Sequence, residues 1–102
     1  MKSVKNKLGW SPLMHAAYHG EENFALELIK LGANVNETNF KGTSVLMFAK
    51  TNASITGNLN LLDKWVNNGC IINHKDDYGL SALDYAKVED NKDVIKYLEN
   101  AY

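Results

Sequence analysis

A short pattern that begins with glycine occurs three times in this chain: GWSPLMHA at residues 9–16, GTSVLMFA at residues 42–49 and GLSALDYA at residues 79–86. The first two glycines lie 33 positions apart, and the last two lie 37 positions apart. Periods of this length are typical of small structural units that stack side by side and share one continuous core. The repeat therefore predicts a stack of units, and it favours recognition of another molecule over catalysis.

The overall composition limits the classes of partner. The 102 residues suffice for one small domain, and we expect residues 1–102 to form it. The net charge is −1, and all eleven basic residues are lysines. Because arginine, which binds phosphate and guanine through paired hydrogen bonds, does not occur, we expect no nucleic-acid partner. The sequence has no long apolar run and no signal sequence, so we expect no membrane partner and a cytoplasmic location. Export by a route that needs no N-terminal signal is left open.

Each unit is expected to contain two short helices. In unit one, Ser11 can cap a helix that begins at Pro12 and ends before Gly20. A second helix is expected from about Glu22 to Gly32. The apolar stripe of this second helix is predicted to consist of Phe24, Leu28 and Ile29. No helix pair can bury both of its faces alone, so the stability of the domain is expected to come from stacking of the units.

The repeated segments resemble the ankyrin repeat, a unit of one turn and two helices with the pattern Thr-Pro-Leu-His-x-Ala. Residues 9–17 keep the glycine, hydroxyl, proline, leucine and alanine of that pattern, and residues 32–36 are similar to the Gly-Ala-Asp-Val-Asn turn of the family. The family's histidine is replaced by Met14, Met47 and Asp84. The resemblance implies an all-α solenoid of three helix-turn-helix units joined by hairpin-like turns, at about residues 6–38, 39–75 and 76–102. The third unit resembles a C-terminal end repeat.

Two departures from the family pattern lead to further expectations. Unit two contains four extra residues within the polar stretch 51–58, which predicts a lengthened loop between its helices. Only about five residues precede the first turn, so the outer face of unit one lacks the polar cap that a terminal repeat needs. We therefore expect upstream repeats or an upstream domain in a longer protein. Self-association of an otherwise monomeric chain through this face is the alternative.

The sequence offers little support for catalysis or for a metal site. His15 and His19 have the spacing of two metal ligands on a helix, but Ala16 stands where a metalloprotease would carry its glutamate base. A plain zinc site would need two further ligands, and the candidates His74 and Cys70 belong to the other end of a different unit. A phosphate-binding glycine loop and a nucleophile elbow are also missing from the sequence. We therefore expect no enzymatic activity, no metal and no cofactor.

The resemblance also implies where a partner protein would bind. In the ankyrin family, partners usually lie against the turn tips and the inner face of the first helices. These positions are Leu8, Trp10, Tyr18, His19, Phe40, Lys41, Thr43, Lys50, Tyr78, Leu80 and Lys87. Exposed aromatic residues at the tips, namely Trp10, Phe40 and Tyr78, would suit a protein-binding hot spot.

Two alternatives stay open at this point. The aromatic residues of the tips could instead cover neighbouring turns of the stack. The chain could also be a targeting or regulatory segment of a larger enzyme or effector, with the catalytic domain elsewhere.

Overall fold

In the computed structural model, residues 9–101 are described, and they form six helices in three consecutive pairs. Unit one contains α1 (Pro12–His19) and α2 (Glu22–Lys30), unit two contains α3 (Val45–Thr56) and α4 (Asn60–Asn67), and unit three contains α5 (Ala82–Val88) and α6 (Lys92–Ala101). The first helices α1, α3 and α5 pack side by side, and each second helix packs against the first helix of its own unit. This arrangement confirms the predicted all-α solenoid.

Each first helix begins at a serine in the same position of its unit. The backbone of this serine is extended, and its hydroxyl accepts a hydrogen bond from the backbone N–H three residues later. The three pairs are Ser11 with Met14, Ser44 with Met47, and Ser81 with Asp84. Since an N-cap contributes about 1 kcal/mol, this repeated residue fixes where the first helices start.

In units one and three, the residue that replaces the family's histidine completes the cap. The carboxylate of Asp84 accepts a hydrogen bond from the backbone N–H of Ser81 at 2.9 Å. In unit one, the backbone N–H of Ser11 points at the sulfur of Met14, at 3.4 Å. These side chains therefore act within their own turn, which supports the start of the helix.

The core lies between the two helix layers and continues through all three units. An alanine is buried at the same position of each first helix, at Ala16, Ala49 and Ala86, and this small side chain lets the second helix approach closely. Trp65 of α4 is the largest fully buried side chain. In α2 the predicted stripe is wrong at one position: Ala25 is buried and Phe24 is exposed.

The four extra residues of unit two form helix rather than loop. Helix α3 has twelve residues, whereas α1 has eight. It ends at Gly57, whose positive φ of 77° and N–H bond to the carbonyl of Ala53 are typical of a helix C-terminus. The prediction of a lengthened loop is therefore wrong. Four residues add about one turn of 3.6 residues, so the polar stretch could enter the helix with little change of its buried face.

Polar side chains of the first helices connect neighbouring units. The side-chain amide of Asn52 in unit two donates to the backbone carbonyl of Tyr18 in unit one, at 3.2 Å. The ammonium of Lys50 lies 3.0 Å from the carboxylate of Glu89 in unit three. Each bond joins one first helix to the next, so both help to set the alignment of the stack.

The second helices are connected in the same way. Lys64 of α4 forms an ion pair with Glu22 of α2, with 2.8 Å between nitrogen and oxygen. The hydroxyl of Tyr97 in α6 donates to the carboxylate of Asp63 in α4, at 2.5 Å. Both layers of the stack are therefore held by one specific polar contact at each junction.

Candidate functional site

The turns that precede the first helices stack on one another along one edge of the molecule. The backbone N–H of Asp77 donates to the carbonyl of Lys41 at 3.0 Å, which links the third turn to the second. His74 places its Nε2 atom 2.7 Å from the carbonyl oxygen of Gly42. These contacts make the turn tips a continuous ridge.

The turn glycines are required where the tips meet. Gly9 has a φ of 80°, and a Cβ atom at this position would lie 2.7 Å from the ring of Phe40. Gly42 has a φ of 78°, and its Cβ would lie 2.8 Å from the carboxylate of Asp77. Both positions therefore need glycine for the backbone conformation and for the contact with the next tip.

A polar residue three positions before the turn glycine holds the second and third tips. The side-chain oxygen of Asn39 accepts hydrogen bonds from the backbone N–H groups of Lys41 and Thr43, both at 2.9 Å. In unit three, the carboxylate of Asp76 accepts from the N–H groups two and four residues later, at 2.9 and 3.1 Å. The two tips thus have the same internal bonding and present their outer residues in a fixed arrangement.

The aromatic residues of the tips differ in exposure. Phe40 is 68% exposed and Tyr78 is 69% exposed, although the ring of Phe40 also covers Gly9. Trp10 is half-buried, and its ring centroid lies 4.4 Å from that of Phe48 in α3. Trp10 therefore takes part in packing between units one and two, whereas Phe40 and Tyr78 are largely available to solvent.

A groove of about 240 Å³ lies on the inner face of the first helices beside this ridge. Its walls contain aromatic, hydroxyl and charged side chains from all three units. The lining residues are Tyr18, Thr43, Met47, Phe48, Lys50, Thr51, Asp76, Tyr85 and Glu89. Tyr18, Thr43 and Lys50 were predicted from the sequence as partner-binding residues, and the structure brings these three together here.

Lys50 does not display its charge to a partner as the sequence suggested. It is only 3% exposed, because its side chain extends toward unit three and pairs with Glu89. Its ammonium group also lies 5.6 Å from the centroid of the Tyr85 ring. The prediction that Lys50 is an exposed partner-binding residue is therefore wrong. Its side chain faces the next unit, where its ammonium group lies beside the carboxylate of Glu89 and the ring of Tyr85.

The other predicted residues lie on the same side or at its two ends. Lys41 is exposed and Leu80 is half-buried at the tips, while His19 and Lys87 are exposed in the last turns of α1 and α5. Leu8 lies outside the described residues.

Asp76 and Tyr85 belong to the groove and were not identified from the sequence. The hydroxyl of Tyr85 donates a short hydrogen bond to the carboxylate of Asp76. Burial raises the pKa of Asp76, but hydrogen bonds from Tyr85, Leu80 and Tyr78 outweigh burial and leave the pKa below its ordinary value of 3.8. The same bond raises the pKa of Tyr85 to about 12, with a further contribution from burial. The signal in the sequence was the repeated polar residue three positions before the turn glycine, in units two and three.

The comparison with known protein families agrees with this geometry. The sequence model of the ankyrin repeat matches residues 8–40, which contain both helices of unit one and the start of the turn that follows. Unit one is therefore similar to an ankyrin repeat, and the six helices form the all-α solenoid that such repeats build. Ankyrin repeats generally act as modules that bind other proteins. No curated protein matches the chain.

Among residues 9–101, no three His, Cys, Asp or Glu side chains lie close enough together to hold a metal ion. The rings of His15 and His19 stack with 6.3 Å between their centroids. Burial raises the pKa of Cys70 to about 11, so its thiol is a poor nucleophile at neutral pH. None of the helices in this part of the chain could cross a membrane.

Proposed function

We propose that this ankyrin-repeat chain binds one other protein through a tip surface formed by Phe40, Lys41, Tyr78 and Leu80, together with the adjoining groove. The observation that supports this proposal best is the pair of exposed aromatic side chains on the ridge of turn tips. Large apolar side chains at the surface of a soluble domain often mark a contact with another molecule.

The geometry of the tip surface favours a protein partner. Phe40 and Tyr78 can each bury much of an aromatic ring, and aromatic side chains are enriched among the residues that dominate binding energies. Lys41 supplies an exposed charge beside Phe40, and Thr43 is one of the residues that line the groove. The surface therefore combines apolar anchors with a polar rim, as protein interfaces do.

The tips are also organised before a partner arrives. Asn39 and Asp76 fix the backbone beneath the two exposed rings, and the stacked turns connect the two tips directly. Because the backbone is already ordered, binding would cost little backbone entropy, and more of the contact energy would contribute to affinity.

The test is quantitative capture of partners with a double variant, Phe40→Ala with Tyr78→Ala. The chain is coupled to beads and exposed to an extract of the cells from which the sequence comes, and the captured protein is identified by mass spectrometry. Its affinity for the purified chain is then measured by calorimetry. Replacing either Phe40 or Tyr78 by alanine should weaken the binding free energy by about 2 kcal/mol, which corresponds to a roughly thirtyfold lower affinity.

The matched control replaces two apolar residues that are equally exposed but lie far from the tips. Ile55→Ala with Val88→Ala alters the last turns of α3 and α5. This variant should bind like the unaltered chain, and both double variants should keep the helical circular dichroism spectrum. A partner that binds the tip variant with unchanged affinity would place the site elsewhere.

A further inference from the structure

Aromatic rings from all three units line the inner groove. Tyr18 comes from α1, Phe48 from α3 and Tyr85 from α5. Phe48 is only 6% exposed, whereas Tyr18 and Tyr85 are half-buried and can still contact a ligand. Thr43 and Thr51 of unit two also line the groove and are half-buried. The uncharged part of the accessible wall therefore consists of two tyrosine and two threonine side chains.

Both tyrosine rings are held in place by neighbouring side chains. The ring centroid of Tyr18 lies 5.5 Å from that of Trp10 and 6.3 Å from that of Phe48. The hydroxyl of Tyr85 donates a hydrogen bond to the carboxylate of Asp76. Because the two rings are already ordered, a ligand that packs against them would lose little affinity to the fixing of their side chains.

The charged side chains of the groove are engaged with partners inside the chain. The ammonium nitrogen of Lys50 lies 3.0 and 3.2 Å from the two carboxylate oxygens of Glu89. One oxygen of Asp76 accepts from two backbone N–H groups of its own turn, and the other accepts from Tyr85. Asp76 is also only 8% exposed. An incoming ion would therefore find no carboxylate or ammonium group in the groove that is free of other contacts.

These internal contacts make the groove unsuitable for an ion. A charged side chain that entered it would lose water without gaining a new counter-charge, and such a transfer is costly. A cation beside Glu89 would also lie near the ammonium group of Lys50, which repels it. An anion would meet the carboxylates of Asp76 and Glu89. The groove therefore selects against charged side chains of either sign.

Size and ring geometry favour a single aromatic side chain. The groove has a volume of about 240 Å³. Pockets for drug-sized molecules measure about 300–1,000 Å³, whereas an apolar cavity of about 150 Å³ is sufficient for benzene. Aromatic rings prefer tilted or offset contacts with centroids about 4.5–7 Å apart, and the rings of Tyr18 and Tyr85 can supply such contacts. One ring with its attached backbone therefore fits the groove better than a larger ligand.

We propose that the inner groove takes one uncharged aromatic side chain of the partner protein, packed against the rings of Tyr18 and Tyr85. The assignment rests on the proposed function, because it requires a protein partner at this surface. It makes the interface reciprocal: the chain presents Phe40 and Tyr78 to the partner, and the partner inserts one ring into the chain.

The test uses three small probes that need no partner protein, namely the N-acetyl amides of phenylalanine, leucine and arginine. In carbon–proton NMR spectra, the methyl signals of Thr43, Met47 and Thr51 report on the groove, and those of Val66 in α4 serve as a reference outside it. The phenylalanine probe should bind with a Kd of about 1 mM. The leucine probe should bind at least about threefold more weakly because it lacks a ring, and the arginine probe at least about tenfold more weakly because it carries a charge.

Two matched substitutions examine where the phenylalanine probe binds. Tyr18→Leu removes one ring of the groove and should weaken binding of this probe at least about fivefold. Phe24→Leu makes the same kind of change in α2, at a side chain that is 49% exposed and does not line the groove, and should leave the affinity unchanged. Circular dichroism spectra check that both variants keep their helices.

Lys50→Met tests the origin of the selectivity. This variant frees the carboxylate of Glu89 from its partner, so the arginine probe could then pair with it. The preference for the phenylalanine probe over the arginine probe should therefore fall at least about tenfold. An unchanged preference would show that the pair of Lys50 with Glu89 does not exclude cations, and it would contradict the proposal.

The proposal is wrong if the arginine or the leucine probe binds the unaltered chain as tightly as the phenylalanine probe. It is also wrong if no probe shifts the groove signals at about 20 mM. A partner captured through Phe40 and Tyr78, together with a lack of probe binding, would remove the groove assignment alone. Probe binding without any captured partner would instead count against the proposed function.

Discussion

Removing Glu89 should destabilise the stack more than removing its partner Lys50. The Lys50 side chain is 4% exposed and the Glu89 side chain is 44% exposed, with Nζ 3.0 and 3.2 Å from the two carboxylate oxygens. Glu89→Ala would remove the carboxylate that pairs with this buried ammonium group and leave it beside the face of the Tyr85 ring, at 5.6 Å from the centroid. Breaking a fully buried pair costs about 3–5 kcal/mol, and screening by water at Glu89 reduces the expected loss to about 2 kcal/mol.

Lys50→Met should cost much less. Methionine keeps most of the apolar stem and removes the buried charge, while Glu89 remains near the surface where water can hydrate it. We expect a loss below about 1 kcal/mol. In a chain that already carries Lys50→Met, no buried charge remains, so adding Glu89→Ala should change the free energy of unfolding little further.

Urea denaturation at pH 7 gives the free energies of unfolding for the double-mutant cycle. Lys87→Met is the matched control, because Lys87 occupies the same position of unit three and is exposed; its effect should stay within about 0.5 kcal/mol. Equal losses for Glu89→Ala and Lys50→Met, or additive losses in the double variant, would refute the assignment of Lys50 as a buried charge that depends on Glu89.

Other substitutions test the turn tips and the groove. Gly9→Ala and Gly79→Ala should each lower the free energy of unfolding by about 1–2 kcal/mol, because both glycines have a φ near 80° that alanine adopts with strain. Gly9→Ala should lower the melting temperature further, because a Cβ atom at Gly9 would meet the ring of Phe40, whereas a Cβ atom at Gly79 would meet nothing within 4 Å. Equal melting temperatures of the two variants would contradict this. The lowered pKa of Asp76 means that its contribution to stability is present above about pH 3.8 and is lost as the pH falls through the folded-state pKa. The raised pKa of Tyr85 means that its contribution is present below pH 10 and is lost as the pH rises toward about 12. Melting temperatures measured across pH should therefore fall less at acidic and at alkaline pH in Tyr85→Phe than in the unaltered chain. The same dependence of melting temperature on pH in both proteins would contradict the role of the Asp76–Tyr85 bond.

Much of the fold could be predicted because its signals are local. The serine caps and the helix-ending Gly20 act within one turn of the chain, so the start and end of α1 follow from neighbouring residues. The extra residues of unit two were predicted wrongly as a loop because their polar composition is compatible with either state. In the helix, the hydroxyls of Thr51 and Thr56 bond to carbonyls four residues earlier, which satisfies them without a loop.

The site was harder to predict because it depends on contacts between units. Lys50 and Lys87 occupy the same position of their units, yet one is buried and the other exposed. The difference arises from Glu89, which lies 39 residues after Lys50 and belongs to the next unit. Sequence periodicity identifies equivalent positions, but the neighbouring unit determines what each position does.

The extra turn of α3 suggests that this kind of solenoid tolerates changes of length only in fixed steps. Four added residues rotate the following chain by about 400°, within about 40° of a whole turn, and lengthen the helix by about 6 Å. An insertion of two residues would rotate it by about 200° and direct the next helix away from its partner. Engineers who wish to lengthen the first helix of such a protein should therefore add whole turns, about four residues for one turn or about seven for two, ahead of the glycine that ends the helix, as Gly57 does here.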